Sequence, residues 1–268
     1  LADPARRGAV VGSVMSGLLG GILLSRTLAG LVTAYGSWRA MFWCGVPLAL
    51  LGGLLMARMI PLGLPRSTLS YPRLLASLIG LWREEPALRR ATLTQALLFA
   101  SFSAFWTVLA FYLADPAYGL GAEVAGLFGV IGVAGVVAAP LAGRIADRLG
   151  ARPVVLVGAL LVVLAWILFE TWLSLVGLAL GVILLDLGVQ SALVAHQQLI
   201  YGLRAEARGR INTLFMTGMF LGGTLGSSLA MLAWQQGSWV GVGWVGLALA
   251  LMACLTALAG KRSLQPAS

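Results

Sequence analysis

Few residues in this chain are able to do chemistry, and they fall into small groups. Asp186 lies inside a long apolar run, and Gln190 and Gln197 follow it at +4 and +11. On a helix these three fall within about 40° of one another, a polar stripe on an otherwise apolar rod. A carboxylate in such a setting suits proton uptake and release during a transport cycle; the alternative is a structural aspartate fixed by a partner on another helix. A second group reads Gly143-Arg-Ile-Ala-Asp147-Arg148-Leu-Gly150-Ala-Arg152, an acid and bases between glycines. Arg26 is a further charge inside an apolar run. It either binds an anionic substrate group, pairs with a carboxylate, or extends its stem so that the charge reaches the outer surface.

Two further features have weaker chemical content. His196 sits about 80° off the stripe and reads as a structural histidine. Gln95, Phe99, Phe102 and Trp106 recur at +4, +7 and +11, with Ser103 and Thr107 beside them. That aromatic and amide face suits an amphipathic organic substrate, or alternatively lies against lipid. Cys44 and Cys254 form no disulfide framework or metal-ligand spacing. Nor does any apolar run carry a Ser/His pair, paired aspartates or a His-x-x-x-His array, and no phosphate-cradling glycine loop occurs. Neither an enzyme, a resident cofactor or metal, nor a nucleotide-driven pump is therefore expected.

The elements that hold these residues follow from composition. Of 268 residues 60% are hydrophobic and 10% charged, against roughly 25% charged in a soluble domain. A bilayer-spanning helix needs about 20 apolar residues, and eight such runs occur: 8–33, 38–60, 91–114, 123–142, 153–169, 172–201, 211–233 and 239–259. No alternating ten-residue strands of a β-barrel appear. An all-α membrane protein is expected. Glycines within the runs mark close-packing faces, among them Gly17 and Gly21 in the first run, and Gly218, Gly222 and Gly226 in the seventh.

The net charge of +9 gains its meaning from placement. Sixteen of the 18 basic residues fall on one side of the eight runs, all but Arg26 and Arg39. By the positive-inside rule that side is cytoplasmic, with both termini on it, and the charge does not signal nucleic acid. The longest break, 61–90, contains an amphipathic stretch with arginines. It reads as a connecting helix at the membrane surface, solvated or touching anionic lipid.

Sliding the chain on itself by 201 residues aligns Arg7–Leu55 with Arg208–Thr256, with 18 identities in 49 positions. Gly36-Ser37-Trp38 falls on Gly237-Ser238-Trp239, and Trp43 on Trp244. The shift crosses six runs, so the copies share one orientation and the repeating unit is six helices. Residues 91–260 then form one complete unit and 1–60 the last two helices of a preceding one, with 61–90 the linker and 261–268 a tail. On this reading four helices of the first unit precede Leu1.

The segment from Gly143 to Arg152 resembles the signature loop of the major facilitator superfamily, G-x-x-x-D-[RK]-x-G-[RK]-[RK], with Ala151 the one departure. The resemblance covers the whole chain. It implies an MFS-type helical bundle, here helices 5–12 of twelve, acting as a monomeric carrier that rocks two six-helix bundles. In the family such a loop latches the cytoplasmic gate, and Arg208 and Arg210 are the expected partners of Asp147. Ser25-Arg26-Thr27-Leu28-Ala29-Gly30 stands where the family's antiporter motif G-P-x-x-G-G would lie, without its proline. The resemblance further implies efflux of a small organic molecule across a bacterial inner membrane, with the proton gradient as energy source. The rival reading is a non-transporting scaffold or a truncated remnant, for which no phenotype would depend on Asp186 or Asp147.

Overall fold

A computed structural model of the chain describes residues 21, 24–25, 27–59, 71–116 and 118–259. A helical stretch at 27–35 precedes α1 (Trp38–Met59), α2 (Tyr71–Glu84), α3 (Pro86–Leu113), α4 (Ala122–Ile131), α5 (Val133–Leu149), α6 (Ala151–Thr171), α7 (Leu175–Tyr201), a 3-10 turn (Ala205–Ala207) and α8 (Arg208–Ala259). The described residues contain no strand. Among them α1, α3, α6, α7 and the stretch Ala205–Ala259 are long and apolar enough to cross a membrane. The last is two limbs, because Gly237 (φ −136°, ψ 15°) and Ser238 (φ 52°, ψ −146°) leave helical geometry.

Local chemistry explains most helix boundaries. Pro86 opens α3, where its missing N–H costs nothing, so this helix begins five residues before the apolar run at 91. Ser174 caps α7, its Oγ accepting from the Gly177 N–H at 3.1 Å. The two Gly-Ser-Trp tripeptides share a role: Trp38 opens α1, with Ser37 Oγ accepting from the Ala40 N–H at 3.3 Å, and Trp239 opens the second limb of α8.

The run expected at 123–142 is different in the structure. It is two helices, α4 and α5, meeting at Gly132, and α5 continues through Asp147 and Arg148 to Leu149. The segment Gly143–Arg152 is therefore mostly helical. Counting charges ends an apolar run at Ala142, but nothing between Ala142 and Gly150 breaks a helix. The whole turn rests on Gly150, at φ 86° and ψ 161°, a conformation open only to glycine.

The chain divides into two compact units, Leu1–Leu69 with Leu113–Val130, and Ser70–Tyr112 with Ile131–Ser268. In the first, the Arg39 guanidinium lies 4.3 Å over the Trp38 ring, and Trp38 meets Phe42 edge-on at 6.1 Å. The chain leaving α3 turns at Asp115, whose carbonyl accepts from the N–H groups of Tyr118 and Gly119.

The second unit is built on close helix contacts. Gly158 of α6 and Gly188 of α7 abut so tightly that a Cβ on either would lie 2.5 Å from the other's carbonyl oxygen. One end of the core is aromatic: Phe105 stacks on Phe169 at 4.4 Å and Tyr112 on Trp239 at 3.9 Å. Trp166 Nε1 donates to Ser101 Oγ at 2.6 Å, and Ser101 donates to the Gly246 carbonyl at 3.0 Å, so both buried polar groups are satisfied. Toward the other end Leu81 of α2 packs with Leu88, Ile200, Ile211 and Phe215. Here Arg204 bridges Glu84 at 3.0 Å and Glu85 at 2.7 Å, strapping α2 to the turn after α7. Hydrogen bonds to Glu85 and then Glu84 push the Arg204 pKa upward.

Ser238 holds a positive φ that favours glycine. Ser238→Gly is expected to stabilise the chain by about 1 kcal/mol, the scale of such strain. A rise in the melting temperature in detergent checks this; a fall would show that the serine side chain has a supporting role.

Candidate functional site

α7 carries Asp186 into the second unit, where it is 4% exposed. Gln190 and Gln197, one and three turns further on, are half-buried on the same helix. This places an acid and two amides inside a candidate membrane span.

Gln95 of α3 is fully buried and its Oε1 lies 2.9 Å from His196 Nδ1 of α7. A carbonyl oxygen only accepts, so in this pairing the Nδ1 N–H donates to Gln95. The expected aromatic face continues along α3: Phe99 stacks on Phe102 at 5.5 Å and Phe102 meets Trp106 at 6.1 Å. Phe220 of α8 joins it edge-on to Phe99 at 5.6 Å. Thr107 Oγ1 lies 2.9 Å from Ser227 Oγ, tying this face to α8. Gln95→Leu is expected to cost about 1–3 kcal/mol, because the His196 N–H would be left buried without an acceptor. Thermal melting checks it; an unchanged melt would mean the pair contributes nothing.

The charged segment at the end of α5 is placed differently from the aspartate–arginine latch. Asp147 and Arg148 are exposed, and Arg152 is half-buried in the first turn of α6. Among the described residues Asp147 forms no ion pair with Arg208 or Arg210. Arg208 Nε instead donates to the Tyr201 carbonyl at 3.0 Å. Gly143 is buried, and its carbonyl accepts from Gln198 Nε2 at 3.3 Å, joining α5 to α7.

Gly218, Gly222 and Gly226 of α8 lie against Thr92, Ala96 and Ala100 of α3. Gly21, expected on a close-packing face, has no described residue within 4 Å of where its Cβ would stand. Arg26 and Gly17 lie outside the described residues.

Glu170 falls between the apolar runs 153–169 and 172–201, where sequence alone reads it as a loop residue. The structure puts it in the last turn of α6, with Oε1 buried, facing Gly243 of α8 and without a hydrogen-bond partner among the described residues. No local signal distinguishes it from an exposed acid, since only the rotation of α6 against α8 buries it. Among the described residues no group of His, Cys, Asp or Glu is arranged to hold a metal ion.

The family model described as Major Facilitator Superfamily matches residues 1–148 and 91–267. The chain belongs to the major facilitator superfamily. It is an integral membrane protein with an all-α, MFS-type fold. Over 255 residues it is 40% identical to the "Uncharacterized transporter YgaY" of Escherichia coli O157:H7 and, to the same extent, to YgaY of strain K12, covering 94% of this chain and 64% of each relative. Over 241 residues it is 35% identical to the "Probable transporter SCO4007" of Streptomyces coelicolor, covering 88% of this chain and 55% of that one. The chain thus spans 64% and 55% of the length of these relatives. Membership in a family of membrane transporters, with relatives named as transporters, points away from an enzyme.

Proposed function

We propose that this chain forms the second helical bundle, with the last two helices of the first, of a proton-coupled exporter of small amphipathic organic molecules. The observation that supports this most is the burial of Asp186 within a membrane-crossing helix, on the stripe it shares with Gln190 and Gln197. A charge is costly in that position and is kept where it serves transport. Asp186 takes the proton on one side and yields it on the other, while the two glutamines offer hydrogen bonds to the substrate. Phe99, Phe102 and Trp106 supply the apolar part of the substrate surface, and Arg26 provides a counter-charge within the membrane. The segment around Asp147 and Arg148, with Arg208 and Arg210, forms the gate on the cytoplasmic side, where both termini lie. The membrane is a bacterial inner membrane, and the carrier works as a monomer.

The test is flux of a fluorescent amphipathic organic probe from liposomes holding the complete carrier. An imposed pH gradient is expected to accelerate it severalfold. Flux indifferent to the gradient would overturn the proton-coupled reading.

A further inference from the structure

α2 carries two apolar stripes, one turned into the protein and one left outside it. At about 100° per residue Leu74, Leu78 and Leu81 share one face. Leu81 is buried in the second unit among Leu88, Ile200, Ile211 and Phe215, while Leu74 and Leu78 are half-buried. Tyr71, Leu75, Ile79 and Trp82 fall within about 80° of one another on the next face round. They are 74%, 46%, 58% and 37% exposed. The helix is not free to rotate and hide them. Arg204 holds Glu84 at 3.0 Å and Glu85 at 2.7 Å, and Arg89 Nη1 donates to the carbonyls of Trp82 and Arg83 at 2.8 and 2.7 Å.

Length, place and charge indicate what covers the exposed stripe. α2 has 14 residues, about 21 Å, too short to cross a hydrocarbon core of about 30 Å. Its C-terminal end packs where α3 and α8 begin and α7 ends, beside Arg204, Arg208 and Arg210. A band of arginines at the ends of membrane-crossing helices marks the membrane surface, not its middle. Tyr71 and Trp82 close the two ends of the stripe, and these two residue types favour the boundary between headgroups and acyl chains. Glu84, the one acid of α2, is bridged by Arg204. The charges left on the helix are Arg73 and Arg83, both exposed and neither in an ion pair among the described residues. Sixteen of the 18 basic residues fall on this side of the chain, which the positive-inside rule makes cytoplasmic, and the cytoplasmic leaflet is the one rich in anionic lipid.

We propose that the stripe of Tyr71, Leu75, Ile79 and Trp82 docks on the anionic leaflet of the bilayer. Its apolar side chains lie at the headgroup boundary, and Arg73 and Arg83 are drawn to lipid phosphates. The stripe of Leu74, Leu78 and Leu81 holds α2 to the second bundle, so α2 ties the end of that bundle to the membrane surface. This docking depends neither on what the carrier moves nor on proton coupling.

Spin labels on the complete carrier, in liposomes of phosphatidylglycerol and phosphatidylcholine, test this. The native cysteines are replaced, and one cysteine at a time is introduced by Leu75→Cys, Ile79→Cys or Ala76→Cys, all at exposed positions that accommodate a label. Oxygen concentrates in lipid, whereas a nickel chelate stays in water. The oxygen-to-nickel accessibility ratio at positions 75 and 79 is expected to be severalfold above that at 76, on the polar side of the helix. Arg73→Gln combined with Arg83→Gln is expected to lower the ratio at 79 in phosphatidylglycerol-containing bilayers, since each arginine near an anionic surface favours docking about fivefold, and to leave it unchanged in phosphatidylcholine alone. Labels at 75 and 79 that are open to the nickel chelate would overturn the proposal. So would labels shielded from both agents, which would mean that protein covers the stripe, or a ratio in phosphatidylglycerol that is indifferent to the loss of both arginines.

Discussion

Gly222→Leu is expected to destabilise the folded chain strongly, while Gly209→Leu, in the first turn of the same helix, leaves its stability unchanged. A Cβ at 222 would overlap the backbone of Ala96, and backbone cannot turn aside as a flexible side chain can. Gly218 and Gly226, one turn to either side, make matching contacts with Thr92 and Ala100, so the three glycines form one seam between α8 and α3. A leucine in its middle forces the helices apart along their length. In lipid no hydrophobic gain offsets the lost contact, because acyl chains are as apolar as the side chains exposed. The expected cost is about 3 kcal/mol, the upper range for overpacking. Among the described residues nothing lies within 4 Å of the Cβ position of Gly209. Size-exclusion profiles after heating in detergent check the contrast; a Gly222→Leu chain melting with the unsubstituted one would show that the seam does not hold the bundle.

Asp186→Asn is expected to lower gradient-driven export by about a hundredfold or more, the scale on which a positioned proton-transfer group acts. Asparagine keeps the volume of the buried side chain and, like the protonated carboxyl, offers one acceptor oxygen and a donor, so α7 should pack as before. What it removes is the ability to gain and lose a proton. Substrate exchange across the membrane with no net proton movement should therefore persist near its original rate. Loss of both activities together would assign Asp186 a structural or substrate-binding role, and retention of both would leave it no role in transport.

Much of this molecule is readable from its residues. Boundaries such as 38 for α1, 201 for α7 and 239 and 259 for the second limb of α8 agree with apolar runs, since length and polarity decide where a chain can cross a bilayer. The Gly-Ser-Trp repeat marks two helix starts because its serine sits at a break in the helix in both copies. The end of α5 is misread from charge alone: Arg144, Asp147 and Arg148 are compatible with helix, and only Gly150 stops it. Contacts between helices are a different matter. Gln95 and His196 are 101 positions apart, and their meeting depends on how α3 and α7 are rotated about their axes, which side-chain types do not specify. Glu170 is the same case, an acid at a helix end whose burial depends on α8 lying against it.

Counting protons against substrate in liposomes with a pH dye inside, and no pH gradient imposed, bears most directly on Asp186 as the coupling group. Probe leaving through the complete carrier down its own gradient should draw protons in and acidify the lumen, and Asp186→Asn should abolish that acidification while the probe still leaves. A lumen whose pH stays constant with the unsubstituted carrier, or acidifies equally with Asp186→Asn, would contradict it.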